Sequence, residues 1–131
     1  MILIDSNIPM YLVGATHPNK VRTQRLLEDL ITEEQRLVTD AEVLQEILHR
    51  YSALGRLDAI QPAFDAVLDL VDEVYPVRLE EAETAKRIVL GAYGLSARDA
   101  VHLAVMRAHG VRRILSFDAE FDRFPGIERI A

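Results

Sequence analysis

The chain has 131 residues, half of them apolar and 27% charged, which is enough for one compact domain with a substantial core and too little for two. Fifteen basic against 21 acidic side chains leave a formal charge of -6, so the total gives no support to diffuse attraction towards a nucleic-acid backbone and leaves only local basic patches open. With no cysteine, disulfides, thiol nucleophiles, iron–sulfur clusters and cysteine-ligated zinc are excluded, and any metal must rest on oxygen or imidazole.

The opening run Ile2-Leu3-Ile4 predicts a buried strand that ends at Asp5-Ser6-Asn7 and turns into a helix start near Pro9. It is too short for a signal peptide or membrane span and has no basic segment before it, so the expectation is a soluble cytoplasmic protein. Paired apolar residues Leu26-Leu27 and Leu30-Ile31 predict a helix from Pro18 to Gln35, followed by a brief strand over Arg36 to Val38. Thr39 with Glu42 reads as a capping box opening a helix whose apolar face is Val43, Leu44, Ile47, Leu48 and Tyr51, with Gly55 as its stop. Ile60, Phe64, Val67, Leu68 and Val71 mark a further helix, Val74 to Val77 a weak strand interrupted by Pro76, and Glu80 to Ala92 another helix. Ser96 with Asp99 is a second possible capping box, at the head of a very apolar helix that runs through Ala108. Ile114-Leu115 is a strand ending at Ser116-Phe117-Asp118, Phe121 and Phe124 anchor a turn, and Ile127 to Ile130 suits an edge strand. This order predicts an α/β protein with a mostly parallel sheet covered on both faces, in a single domain over residues 1–131.

Such sheets carry their reactive groups at the carboxyl ends of strands, where Asp5 and Asp118 both fall, although each alone also fits a cap or turn residue. On a helical wheel Glu42 points away from the apolar face and Glu46 lies near its edge, so Glu46 is the better ligand and Glu42 the better structural residue. Asp99 reads equally as a capping partner of Ser96 or as an acid facing a cleft over the sheet. If Asp5, Glu46, Asp99 and Asp118 converge, repulsion raises the pKa of at least one unless cations neutralise them. An all-oxygen set of this kind suits Mg2+ or Mn2+ and the hydrolysis of phosphodiesters.

Four segments in order carry a resemblance: Leu3-Ile4-Asp5-Ser6-Asn7, Val43-Leu44-Gln45-Glu46-Ile47, Leu95-Ser96-Ala97-Arg98-Asp99-Ala100-Val101-His102-Leu103-Ala104, and Ile114-Leu115-Ser116-Phe117-Asp118 with Phe121-Asp122. Together they resemble the PIN-domain ribonucleases, especially the small VapC-like toxins of toxin–antitoxin pairs. The resemblance implies a three-layer α/β/α fold and an endoribonuclease whose acidic pocket is Asp5, Glu46, Asp99 and Asp118. It implies that Asp5, Asp99 and Asp118 hold one or two Mg2+ or Mn2+ ions, and that metal-activated water, not a side chain, attacks the RNA phosphate. Ser6, Asn7 and Ser116 would orient ligands or water, and Asp122, which by its place alone reads as a solvated turn residue, would assist Asp118 or a second ion. Serine stands at 116 and after Asp5 where such proteins more often have threonine, a change that keeps the hydroxyl. A homodimer and a small cognate antitoxin are the implied partners; Met10 to Val13 or the Ile60 to Val71 helix could supply apolar surfaces for them, and either set equally suits internal core.

His102, about 60° around the helix from Asp99, reads as a packed helix residue that could border the pocket, and His17, His49 and His109 show no ligand spacing. Thirteen of the fifteen basic residues are arginine, and Arg98 beside Asp99 and Arg50 one turn beyond Glu46 are the candidate RNA contacts. Two other readings compete: a metal nuclease acting on structured DNA, and a non-catalytic RNA-binding domain whose acids are dispersed.

Overall fold

The computed structural model describes all 131 residues. Five strands form one sheet in the order β3-β2-β1-β4-β5, with every neighbouring pair parallel: β1 Ile2–Ile4, β2 Leu37–Asp40, β3 Glu73–Tyr75, β4 Arg113–Leu115 and β5 Glu128–Ile130. Parallel strands need crossovers, and six helices supply the three that lead from β1 through to β4: α1 Asn7–Val13, α2 Pro18–Thr32, α3 Ala41–Ala53, α4 Ile60–Leu70, α5 Leu79–Leu90 and α6 Ala97–Ala108. Short 3-10 turns occupy Leu57–Ala59 and Ala119–Arg123.

Successive strand residues point to opposite faces, and the core divides accordingly. Leu3, Val38 and Ile114 pack with α5, α6 and Phe121 on one side. Ile2, Ile4, Leu37 and Leu115 pack with α1, α2, α3 and α4 on the other. The result is the expected α/β/α sandwich, with the sheet parallel throughout. No helix is long and apolar enough to cross a membrane.

Several boundaries differ from the sequence reading, the main ones for local reasons. Asp40, not Thr39, caps α3: its Oδ1 accepts from Val43 N at 2.9 Å, while the Thr39 hydroxyl donates to Ile4 O at 2.8 Å within the sheet. Strand β2 therefore extends to Asp40. Strand β3 pairs at Glu73 to Tyr75 rather than Val74 to Val77, since Pro76 has no N–H to give the ladder. Helix α2 ends at Thr32, and Glu34, at φ 57°, turns the chain into β2.

Candidate metal centre

From β1 the chain crosses to β2 on one side and later reaches β4 on the other, so the carboxyl ends of β1 and β4 form the switch point at which open parallel sheets hold ligands. A cleft of about 640 Å³ opens there, and Asp5, Glu46, Asp99, Asp118, Arg50 and Arg98 are among the residues lining it.

Each acid arrives on a different element. Asp5 follows β1 and is 3% exposed, with Oδ1 accepting from Ser6 N at 2.7 Å and Oδ2 from Ser116 Oγ at 2.5 Å. Asn7 joins this lattice, donating to Asp5 Oδ2 at 3.4 Å and to Ser116 Oγ at 3.3 Å while its own oxygen accepts from Phe117 N at 3.3 Å. Glu46 comes from the buried side of α3 and accepts from Ser6 Oγ at 2.5 Å. Asp99 sits in the first turn of α6, where Ser96 caps the helix by accepting Asp99 N at 3.1 Å. Capping and cleft-facing, offered as alternatives for Asp99, are thus both true: its N–H serves the cap and its carboxylate the cleft. Asp118 follows β4, its N–H bonded to Ser116 Oγ at 3.0 Å and its Oδ1 capping the 3-10 turn through Glu120 N at 2.9 Å.

Electrostatics follow from this crowding. Burial pushes the Asp5 carboxyl up, and the neighbouring Glu46 charge adds to it while His102 opposes. Asp99 is pushed up to about 7, by burial first and then by Asp118 and Asp5. Two sets of donors stand close enough to grip a cation, with atoms within 4.8 Å of one another: Asp5, Glu46 and His102, and Asp99, Asp118 and Glu120. Acids that are buried or half-buried and crowd one another, with Asp5, Glu46 and Asp118 held by hydroxyls and N–H groups, fit a hard divalent ion.

Two members of the site were missed or underrated in the sequence. Glu120 carried no signal beyond its place near Asp118. His102 is fully buried, as packing required, yet its Nδ1 lies 2.7 Å from Asp40 Oδ2 and its Nε2 2.6 Å from Glu46 Oε1. Burial lowers the imidazole pKa, but Asp40, Glu46 and Asp5 outweigh it and hold the ring well above 6.5, so both nitrogens donate. Asp122, expected beside Asp118, stands outside the cleft: it is exposed and forked by Arg129, at 3.0 Å from Nε and 3.1 Å from Nη2. An arginine seven residues away offers it a partner that no acid in the cleft can match.

Comparisons with known proteins agree with this picture. The PIN-domain family model matches residues 2–127. The chain is 59% identical to Ribonuclease VapC13 of Mycobacterium tuberculosis over the full length of both, and 38% identical to Ribonuclease VapC23 of the same species over 90% of this chain and 93% of that one. Among solved structures, Mycobacterium tuberculosis VapC20, described as a sarcin–ricin loop cleaving toxin, superposes with a TM-score of 0.80 at 23% identity over 98% of each chain. FitAcB from Neisseria gonorrhoeae superposes at 0.74 with 18% identity, covering 100% of this chain and 97% of that one. The chain therefore belongs to the PIN-domain family, in its branch of VapC-like ribonuclease toxins.

Proposed function

We propose that this protein is a divalent-metal-dependent endoribonuclease of the cytoplasm and the toxin of a toxin–antitoxin pair. The observation that carries the reading is the meeting of Asp5, Glu46, Asp99 and Asp118, from four separate elements, in one cleft at the β1/β4 switch. The ribonuclease name of a relative 59% identical along the whole chain supports the substrate class.

Asp5, Asp99 and Asp118 would hold one or two Mg2+ or Mn2+ ions, with Glu46 completing the acidic wall. Bound there, such an ion supplies activation of water and offsets charge developing on phosphate oxygens. Ser116, Ser6 and Asn7 fix the orientations of the acids through the hydrogen bonds described above. Arg98 and Arg50, exposed on the cleft wall, are placed to engage RNA phosphates around the scissile bond, so an acidic chain presents local positive charge where the backbone must lie.

For partners, the solved relatives include toxin–antitoxin complexes from several bacteria, such as one from Klebsiella pneumoniae. Met10 to Val13, expected as a contact surface, are half-buried against the core, and Ala63 and Val67 of α4 are fully buried. Leu54, on the cleft wall, and Leu57, three residues further on, are 60% and 67% exposed; Leu79 and Leu90 are more exposed still but lie outside the cleft lining. Leu54 and Leu57 offer a surface for a small antitoxin, and a homodimer remains part of the proposal.

The test is cleavage of an RNA oligonucleotide with Mn2+, with excess chelator, and with Asp5→Asn. We expect cleavage only for the wild type with metal. Normal cleavage by a folded Asp5→Asn protein would overturn the metal reading, and preference for a matched DNA oligonucleotide would overturn the RNA reading.

A further inference from the structure

Beneath the carboxylates lies a second polar layer, made of Asp40 and His102, that neither lines the cleft nor faces solvent. We propose that His102, braced by Asp40, is a positioning residue that fixes Glu46 against the metal pocket and is not itself a ligand. The inference rests on the metal-dependent reading and deepens it.

The geometry is a relay across three elements. Asp40 stands between β2 and α3, and its two oxygens are divided: Oδ1 caps α3 through Val43 N at 2.9 Å, and Oδ2 takes His102 Nδ1 from α6 at 2.7 Å. The opposite ring nitrogen meets Glu46 Oε1 at 2.6 Å, and Ser6 Oγ holds the other Glu46 oxygen at 2.5 Å. A glutamate has three side-chain torsions to lose, and a bond on each oxygen removes that freedom before any cation arrives. Asp5 Oδ1 lies 3.7 Å from the same Nε2, so the ring also spaces the two acids.

Packing alone does not explain this choice. A buried polar triad stabilises a core no better than apolar residues of the same volume. A ligand role fits poorly too, because both ring nitrogens already face carboxylate oxygens and the ring is wholly buried, while Mg2+ and Mn2+ favour oxygen.

The experiment measures Mn2+ affinity of the full chain by titration calorimetry without RNA. The amide of Gln in His102→Gln reaches the place of Nε2 and keeps a donor for Glu46, whereas that of Asn in His102→Asn reaches only the place of Nδ1. We expect His102→Asn to weaken Mn2+ binding about 10- to 100-fold, as loss of outer-shell partners does, and His102→Gln to recover most of that loss. Asp40→Asn, which retains the cap, weakens binding in the same direction, and RNA cleavage falls through kcat rather than KM. Equal Mn2+ affinity in wild type and His102→Asn would overturn the proposal, since a structural role alone lowers melting temperature without moving the affinity of the folded protein. Pulsed EPR of the Mn2+-loaded wild type needs no variant: absence of a directly coordinated nitrogen supports positioning, and its presence overturns it. A wild type that neither binds Mn2+ nor cleaves RNA sinks the nuclease reading and this inference together. Binding and cleavage by the wild type with unaffected variants sink this inference alone.

Discussion

The Ser116 hydroxyl joins the two strand ends that frame the cleft, donating to Asp5 Oδ2 at 2.5 Å and accepting from Asn7 Nδ2 at 3.3 Å and Asp118 N at 3.0 Å. Ser116→Ala removes three contacts at once and leaves Asp5 Oδ2 with only the long bond from Asn7, so Mn2+ affinity measured calorimetrically should fall about 10-fold or more. Ser116→Thr keeps the hydroxyl and should bind like the wild type. Equal affinity in the alanine variant would show that Asp5 is held by burial alone. The acids themselves sort by the same logic of contact. Glu46→Gln should cost far more RNA cleavage than Glu42→Gln, because Glu46 is gripped inside the cleft and Glu42 is half-exposed outside its lining. Asp122→Ala should leave cleavage at the wild-type rate and scarcely change the melting temperature, because solvent screens an ion pair this exposed.

At the scale of elements, one residue determines how α3 begins and what lies under it. Asp40→Ala loses the α3 cap and leaves His102 Nδ1 without a partner, so chemical unfolding should report a loss of roughly 3–5 kcal/mol, the cost of breaking a buried ion pair. Ser96→Ala, which loses only a cap, should cost about 1 kcal/mol in the same assay. The contrast also explains what could be read from the sequence. The Ser96 cap was legible because the residue and its bond to Asp99 N lie three positions apart, and Glu46 was legible because the periodicity of α3 sets its place beside the apolar face. The cap of α3 was misassigned because Thr39 and Asp40 are adjacent good capping residues, and only the sheet, by engaging the threonine hydroxyl, decides between them. The role of His102 was hidden because its partners are 62 and 56 residues away in the chain, a separation that no local pattern spans.

For the whole molecule, the charge of -6 matters less than where the acids are gathered, and that distribution gives the metal-free protein a defined pH dependence. Asp99 titrates at about 7 in the fold against an ordinary 3.8, so between those values the folded chain holds more protons than the unfolded chain and stability falls as pH rises. Asp5, also raised by burial, acts with the same sign. His102, held well above 6.5, contributes stability that is full below 6.5 and is lost as pH rises through its folded value, which extends the decline past neutrality. The exposed carboxylates paired with cations, Asp58, Glu83 and Asp122, are lowered and act oppositely, but only in acid below their ordinary range. In chelator, the protein should therefore melt at a higher temperature at about pH 5 than at about pH 8. Mn2+ should reverse the order of benefit, stabilising strongly at the higher pH, where the ligands are deprotonated, and weakly at the lower, where protons compete with the ion. Calorimetric scans at the two pH values, with and without Mn2+, provide the check. A melting temperature that rises from pH 5 to pH 8 in chelator would mean that the acids do not repel one another as their packing requires, and equal stabilisation by Mn2+ at both would place the ion away from Asp99.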